Sequence, residues 1–276
     1  SIIPQALKAY GFENVSIVSP QAIPDGNFPT CVSPNPEEPS ALELGLRQAQ
    51  SEDADILLAT DPDADREAIA VKKKNGEWVL LNGNQTATLF SYYLLKRWSE
   101  EGKLNGKQYI IKTIVTTEMI KKVAERFGVD CFDTLTGFKH IAAKIRELEG
   151  VKEFIGGGEE SFGFLIGDFV RDKDAVSGCC ILAEMAAYAA SNGETLYDML
   201  LNLYTEFGFY QEKQVSVVKK GKSGAEEIVK MMNDFRNTPP QTIDGVSVTQ
   251  IIDYLKPEVT GLPKSNVLQY FLSDGS

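Results

Sequence analysis

The sequence predicts an α/β protein, and three stretches carry that prediction. Residues 40–53 read as a helix with Leu42, Leu46 and Ala49 on one stripe, followed at once by the apolar run Ile56-Leu57-Leu58-Ala59. Such a run is too short for a helix and suits a covered strand. A second helix–strand succession occupies residues 85–101 and 109–113. A third leads from the strand Phe154-Ile155 to an almost wholly apolar helix over 175–190, interrupted only by Ser177 and Glu184. Helices alternating with short apolar strands make sheet layers covered by helices.

The remaining elements follow in order. Residues 2–10 read as part of a helix stopped by Gly11, and Val15-Ser16-Ile17-Val18 as a short strand. A turn-rich loop runs from Pro20 to Pro39. Ser40 is placed to cap the next helix, with Glu43 completing a capping box. The helix–strand–loop order that follows predicts half of a parallel layer. Ile69-Ala70-Val71 and Trp78-Val79-Leu80-Leu81 are expected to pair through a type I′ turn at Asn75-Gly76. Thr116 or Thr117 should cap a helix carrying Met119, Ile120, Val123 and Phe127, and residues 129–132 form a further strand. Helices are also expected over 139–147, 195–207 and 225–236, with strands around Val246 and Val248 and over 267–272. Residues 219–224 read as a polar linker.

Composition sets the class. The chain has 276 residues, 43% hydrophobic and 24% charged, as in a soluble globular protein of two or three small domains. A net charge of -11 argues against binding a nucleic-acid backbone. It leaves phosphate substrates open, because a metal and a few local cations override global charge. Cys31, Cys131, Cys179 and Cys180 form no C-x-x-C pair, so a reducing cytoplasm is expected. No membrane-spanning apolar run and no signal peptide is present. The start at Ser1 and the end at Ser276, soon after a strand, predict a piece of a longer polypeptide.

The strongest chemical signal follows the run that ends at Thr60. Asp61, Asp63 and Asp65 stand at alternate positions, with Pro62 forcing a turn. Three carboxylates this close repel, and a divalent cation relieves them. Oxygen-only donors favour magnesium, calcium or manganese over zinc. Arg66 adds a positive fork suited to a phosphate oxygen. An isolated Asp-x-Asp reads as a solvated acidic turn; three alternating aspartates plus arginine after a strand favour a metal site.

Gly156-Gly157-Gly158 would let the backbone approach a ligand or take positive φ. Glu159, Glu160 and Ser161 follow, and a carboxylate beside a hydroxyl suits a sugar diol. Lys139, after Thr136 and Gly137, and Arg171 and Lys173 precede helices, where an anion would offset their conflict with the helix dipole. Together they favour a phosphosugar pocket. His140, the single histidine, is assigned to packing or a helix surface, and Lys72-Lys73-Lys74 to a solvated turn.

Together these residues resemble the α-D-phosphohexomutase superfamily, in its phosphoglucomutase and phosphomannomutase members. The resemblance rests on Thr60-Asp-Pro-Asp-Ala-Asp-Arg66, Gly158-Glu-Glu-Ser-Phe-Gly163, Thr136-Gly-Phe-Lys139, Arg171-Asp-Lys-Asp174, Pro24-Asp-Gly-Asn-Phe-Pro29 and Pro34-Asn-Pro-Glu37. It implies mixed-sheet three-layer α/β domains: residues 1–81 as the second domain without its first strand region, 82–208 as the third, 209–221 as a linker, and 222–276 as a truncated α+β start of the fourth. Asp61, Asp63 and Asp65 would hold Mg²⁺, with a phosphoserine oxygen from outside this sequence as a further ligand. Arg66 and Lys139 take catalytic roles, Arg66 against that phosphate. Thr136, Gly137, Lys139, Glu159, Ser161, Arg171 and Lys173 bind substrate. Glu67-Ala68 departs from the apolar residue and glycine of many relatives.

The implied reaction interconverts hexose 1-phosphate and hexose 6-phosphate, glucose before mannose, through a phosphoserine and a hexose 1,6-bisphosphate. No Thr-Ala-Ser-His-Asn-Pro-like loop occurs in the sequence, so this chain alone is expected to be inactive. Its expected partners are a phosphorylated hexose and the first and fourth domains of the same polypeptide, with no nucleic acid or membrane. Two alternatives stand beside this: a magnesium-dependent phosphatase of the haloacid dehalogenase class, with Asp61 as nucleophile and Asp63 as acid/base, and a calcium-stabilised carbohydrate-binding module.

Overall fold

A computed structural model describes residues 2–276, which divide into two compact units, one running to Glu212 and the other from Lys213 to Ser276. Among the described residues no helix is long and apolar enough to cross a membrane.

The first unit opens with α1 (Ile3–Ala9) and α2 (Glu43–Ser51). Val15–Val18 has no regular secondary structure and joins no sheet; the Gln48 side chain donates to the Ile17 carbonyl instead. Ser40 caps nothing. Pro39 starts a 3-10 turn, Pro39–Leu42, which takes Ser40 inside it, and α2 begins behind Leu42 without a side-chain cap.

Strands β1 (Ile56–Thr60), β2 (Glu67–Lys72) and β3 (Trp78–Leu80) form an antiparallel meander in that order. The expected parallel layer is therefore absent from this sheet. Only residues 61–66 connect β1 to β2, and a parallel pair needs a crossover of a dozen or so residues. The β2–β3 hairpin forms, but its turn is not type I′. Of Asn75 and Gly76, only Gly76 takes positive φ (84°), and the loop closes through Lys73 N–H to Glu77 O and Gly76 N–H to Lys73 O, at 2.8 and 2.9 Å. This is a three-residue loop with its glycine in the left-handed position.

Helix α3 (Gly83–Glu100) starts before the expected residue, because Asn82 and Gln85 make a reciprocal capping box. Then come β4 (Gln108–Thr113), α4 (Met119–Phe127), β5 (Asp130–Thr134), α5 (Phe138–Leu148), β6 (Glu153–Glu159), β7 (Gly163–Ile166), α6 (Ala175–Ser191) and α7 (Leu196–Phe207). Glu118, not a threonine, is the N-cap of α4, although the Thr117 hydroxyl accepts the Met119 N–H. The sheet runs β5-β4-β6-β7, parallel except for the β6–β7 pair.

Alternation along β4 builds three layers. Ile110 packs with residues of α3, α4, α6 and α7, whereas Tyr109 and Ile111 pack with Phe138, Ile141 and Ile145 of α5. Ile69, Val71 and Leu81 of the meander share the first cluster, while Cys180 and Ala183 of α6 meet Leu7 of α1. Helix α6 thus serves both sheets.

Gly156, Gly157 and Gly158 are buried residues of β6, not a loop, and none has positive φ. They give β6 its place between β4 and β7. A Cβ on Gly157 would stand 2.4 Å from the Ile111 carbonyl oxygen, and one on Gly158 2.4 Å from that of Gly163.

The second unit has α8 (Gly221–Asn237), β8 (Thr242–Ile243), β9 (Val246–Asp253), α9 (Pro257–Thr260) and β10 (Leu268–Leu272), with β9 central in an antiparallel sheet. Helix α8 starts ahead of the expected Ala225, so residues 221–224 of the polar run are its first turn. Gly224 packs on the Lys219 backbone where a Cβ would come within 2.7 Å. Arg236 ties the helix to the sheet through Asp253, at 3.0 Å.

Backbone atoms around β6 cannot yield. Gly157→Ala should therefore lower stability by about 2–4 kcal/mol, read from the urea midpoint. Gly26→Ala, where nothing lies within 4 Å of the added Cβ, should change it by no more than about 0.5 kcal/mol.

Candidate active site

The loop after β1 is built around Asp61. Its Oδ1 accepts the backbone N–H groups of Asp65 and Arg66, both at 3.1 Å, and its carbonyl accepts the Ala64 N–H at 3.1 Å. Ala64 takes positive φ (56°), which turns the chain tightly enough for those bonds. Asp61, Asp63 and Asp65 each offer an oxygen within 4.8 Å of the others. The donors are all hard oxygens, which fits a hard divalent cation. Burial pushes the Asp61 carboxyl up to about 6, against the Arg66 N–H and with repulsion from Asp65 and Asp63 adding to it. A cation on these oxygens would reverse that penalty. Burial also acts to raise Asp65, but the Lys173 ammonium, a hydrogen bond with Asp61 and the Arg66 charge together hold Asp65 below the usual range.

Two cations border the loop. Arg66 donates from one terminal nitrogen to Glu37 at 3.1 Å, and its Nε faces Asp61 and Asp65 at 3.6 and 3.8 Å. Lys173 Nζ lies 2.8 Å from Asp65 Oδ2 and 3.0 Å from Asp172, over the Phe138 ring.

The second half of the site is the three-residue loop between β6 and β7. Just before it, Glu159 Oε1 accepts the Gly137 N–H at 2.7 Å, which joins this end of β6 to the start of α5 and leaves Oε2 uncommitted. Gly137 has φ of 102°, and α5 begins behind it with no side-chain cap; the His140 N–H turns back to the Gly137 carbonyl at 2.9 Å, and those of Phe138 and Lys139 remain open among the described residues. Glu160 points the other way. Thr113 and Thr116 donate to its Oε2 at 3.1 and 3.0 Å, anchoring the loop on the carboxyl end of β4. Gly83 lies against it so closely that a Cβ would stand 1.8 Å from the Glu160 carbonyl oxygen.

The two halves are joined directly. Glu67 N–H donates to the Phe162 carbonyl at 3.0 Å, with Phe162 held at φ of 66°, and Ala175 N–H donates to the Ala64 carbonyl at 3.0 Å. The Lys173 stem lies over Gly163, where any Cβ would fall 2.1 Å from it. The structure thus brings Asp61, Asp63, Asp65, Arg66, Lys173, Glu159 and Gly137 into one region. Ser161 lies in the loop that follows Glu159. Thr136 and Lys139 are exposed beside Gly137. Arg171 is engaged elsewhere, with Glu149 at 3.2 Å. At α6 the N–H groups expected to face an anion are taken by Asp174, which accepts from Val176 and Ser177. His140 lies half-buried on α5.

Sequence reasoning missed Glu37, Lys112 and the role of Glu67. Glu37 stood in the quoted Pro-Asn-Pro-Glu run, and only the fold shows what it reaches. Lys112, 0% exposed, is ion-paired to Glu118 and Asp133 at 2.7 and 2.8 Å, which outweigh the lowering effect of burial on its ammonium. Glu67 is 1% exposed beneath Gly178, and its Oε2 has no hydrogen-bond partner among the described residues. Burial, then Asp174 and Asp61, raise its carboxyl well above the ordinary 4.5.

Glu67 therefore stays protonated when folded at a pH where the unfolded chain ionises it. The folded state holds the extra proton, so stability falls as pH rises above 4.5 toward the raised value. Glu67→Gln, neutral throughout, should match the natural protein near pH ~4 and melt about 2–4 °C higher near pH ~8. Parallel melting curves across pH check this.

With this geometry in view, the comparisons with known proteins are specific. The family described as phosphoglucomutase/phosphomannomutase matches twice: its alpha/beta/alpha domain II over residues 1–76 and its alpha/beta/alpha domain III over residues 82–207. Phosphoglucomutases of Staphylococcus haemolyticus and Staphylococcus aureus are 36% identical over 284 residues, covering 99% of this chain and 51% of theirs. The chain thus spans about half the length of the curated relatives it matches. A crystal structure of a putative phosphomannomutase from Thermus thermophilus aligns at TM-score 0.51 and 25% identity, over 64% of this chain and 36% of the other. A phosphoglucomutase/phosphomannomutase family protein from Burkholderia thailandensis shares the fold at TM-score 0.56 and 24% identity, over 82% of this chain and 42% of its own. From the paired domain matches and the relatives across its length, the chain belongs to the phosphoglucomutase/phosphomannomutase family.

Proposed function

We propose that the protein acts as a magnesium-dependent phosphohexomutase, interconverting hexose 1-phosphate and hexose 6-phosphate through a hexose 1,6-bisphosphate, with glucose preferred. The observation that carries this reading is the direct joining of an oxygen-only carboxylate triad to the loop after Glu159 by Glu67 N–H to Phe162 O, with Lys173 reaching Asp65 from its place over Gly163. The relatives named phosphoglucomutase support the choice of sugar. The phosphoserine and the remaining phosphate contacts belong to domains outside this sequence. Four free thiols support a cytoplasmic setting.

Each residue has a distinct task in this reading. Asp61, Asp63 and Asp65 hold Mg²⁺, which when bound neutralises charge on the transferring phosphoryl group. Arg66 presents its guanidinium to phosphate oxygens beside the triad. Glu159, with one oxygen committed to Gly137, turns the other to sugar hydroxyls, and Ser161 adds a donor and an acceptor. Thr136, Gly137 and Lys139 receive the substrate at the open start of α5, and Lys173 carries positive charge between the two loops. Arg171 supplies longer-range positive charge from its place beside Glu149.

The deciding experiment assays the full-length enzyme with glucose 1-phosphate. Chelation by EDTA should abolish glucose 6-phosphate formation, and Asp63→Asn should cut kcat by at least about 100-fold. Undiminished turnover in either case overturns the reading. On this chain itself, Mg²⁺ affinity measured by calorimetry should fall from about pH 7 to about pH 5, because protons compete for Asp61.

A further inference from the structure

Arg66 sits unevenly among its carboxylates. The hydrogen bond at 3.1 Å goes to Glu37, while Asp61 and Asp65 face its Nε at 3.6 and 3.8 Å, beyond good hydrogen-bond distance. An arginine beside two carboxylates ordinarily closes on one of them with paired bonds. Here Glu37 holds a terminal nitrogen on the opposite side.

Glu37 is itself firmly placed. Pro34 and Pro36 fix the backbone on either side of Asn35, and Pro36 is buried. The Asn35 side chain accepts the Glu37 N–H, and its carbonyl accepts the Glu38 N–H, both at 3.0 Å. The carboxylate is thus delivered from a stiff turn rather than from a flexible surface arm.

We propose that Glu37 is a positioning residue that holds the Arg66 guanidinium off the aspartate cluster, keeping Asp61 and the Asp65 oxygen not paired with Lys173 available to a divalent cation. Without Glu37, Arg66 closes on Asp61 and Asp65 and becomes an internal counter-ion that a cation must displace. The inference rests on reading Asp61, Asp63 and Asp65 as the cation site.

The test is a double-mutant cycle on the whole chain, with Mg²⁺ affinity measured by titration calorimetry. Glu37→Ala should weaken Mg²⁺ binding by about fivefold to tenfold, and by less than about twofold once Arg66→Ala is present. Glu37→Gln, which keeps an acceptor for Arg66, should fall between Glu37→Ala and the natural protein, and serves should Glu37→Ala fold poorly. An equal weakening in both backgrounds would mean that Glu37 acts through its charge alone and overturns the proposal. So would no weakening in either background. If the natural chain takes no Mg²⁺ or Mn²⁺, the cation reading itself fails, an outcome distinct from a cation that binds but ignores Glu37.

Discussion

Repulsion among carboxylates is the constraint that shapes this region. Asp61, Asp63, Asp65, Glu67 and Asp174 crowd one corner of the first unit, and the cations set against them are Arg66 and Lys173. Each acid has a different solution. Asp61 accepts two backbone N–H groups, Asp65 pairs with Lys173, and Asp63 faces solvent. Asp174 caps α6, where the helix dipole favours a negative charge. Glu67, sealed under Gly178, escapes by keeping its proton. The tight turn at Ala64 and the short β1–β2 connection are what make these separate solutions compatible.

The same atoms set the geometry between the two halves of the site. Helix α6 packs on both sheets, and its first residue bonds to the aspartate loop. Glu160, anchored by Thr113 and Thr116, fixes the other loop, while Glu159 is tied to Gly137 by one oxygen. Backbone–backbone bonds carry most of this coupling, and they depend on chain path more than on side-chain identity.

Much of this was legible in the residues. The apolar run before Thr60, the alternate aspartates, the Gly-Glu-Glu-Ser loop and the apolar α6 each announce an element or a site. What sequence reasoning lost was partner choice. Val15–Val18 has strand-like composition, yet a strand exists only where another backbone takes its hydrogen bonds. The β1–β2 direction was set by loop length, which the helix–strand rhythm obscured. The three glycines suggested approach to a ligand or positive φ, because glycine serves both conformational freedom and close approach; only the Ile111 and Gly163 carbonyls show that close approach of neighbouring strands governs here. Strand β7 opens on a glycine and is too short to signal itself. Glu37, Glu67 and Lys112 read as ordinary charges until the fold reveals what surrounds them.

The bond from Glu67 to Phe162 joins residues far apart in the first unit's sequence, each contributed by a differently matched domain of the family. Recombination between relatives would therefore be constrained at this joint. A chimera that imports the aspartate loop from one parent and keeps the 160–175 segment of another inherits a mismatched seam at the site, even if both parental domains fold well. Lineages that exchange whole domains would be expected to carry these two short stretches together, and library designs that place crossovers near residue 80 would do well to treat them as one inherited block.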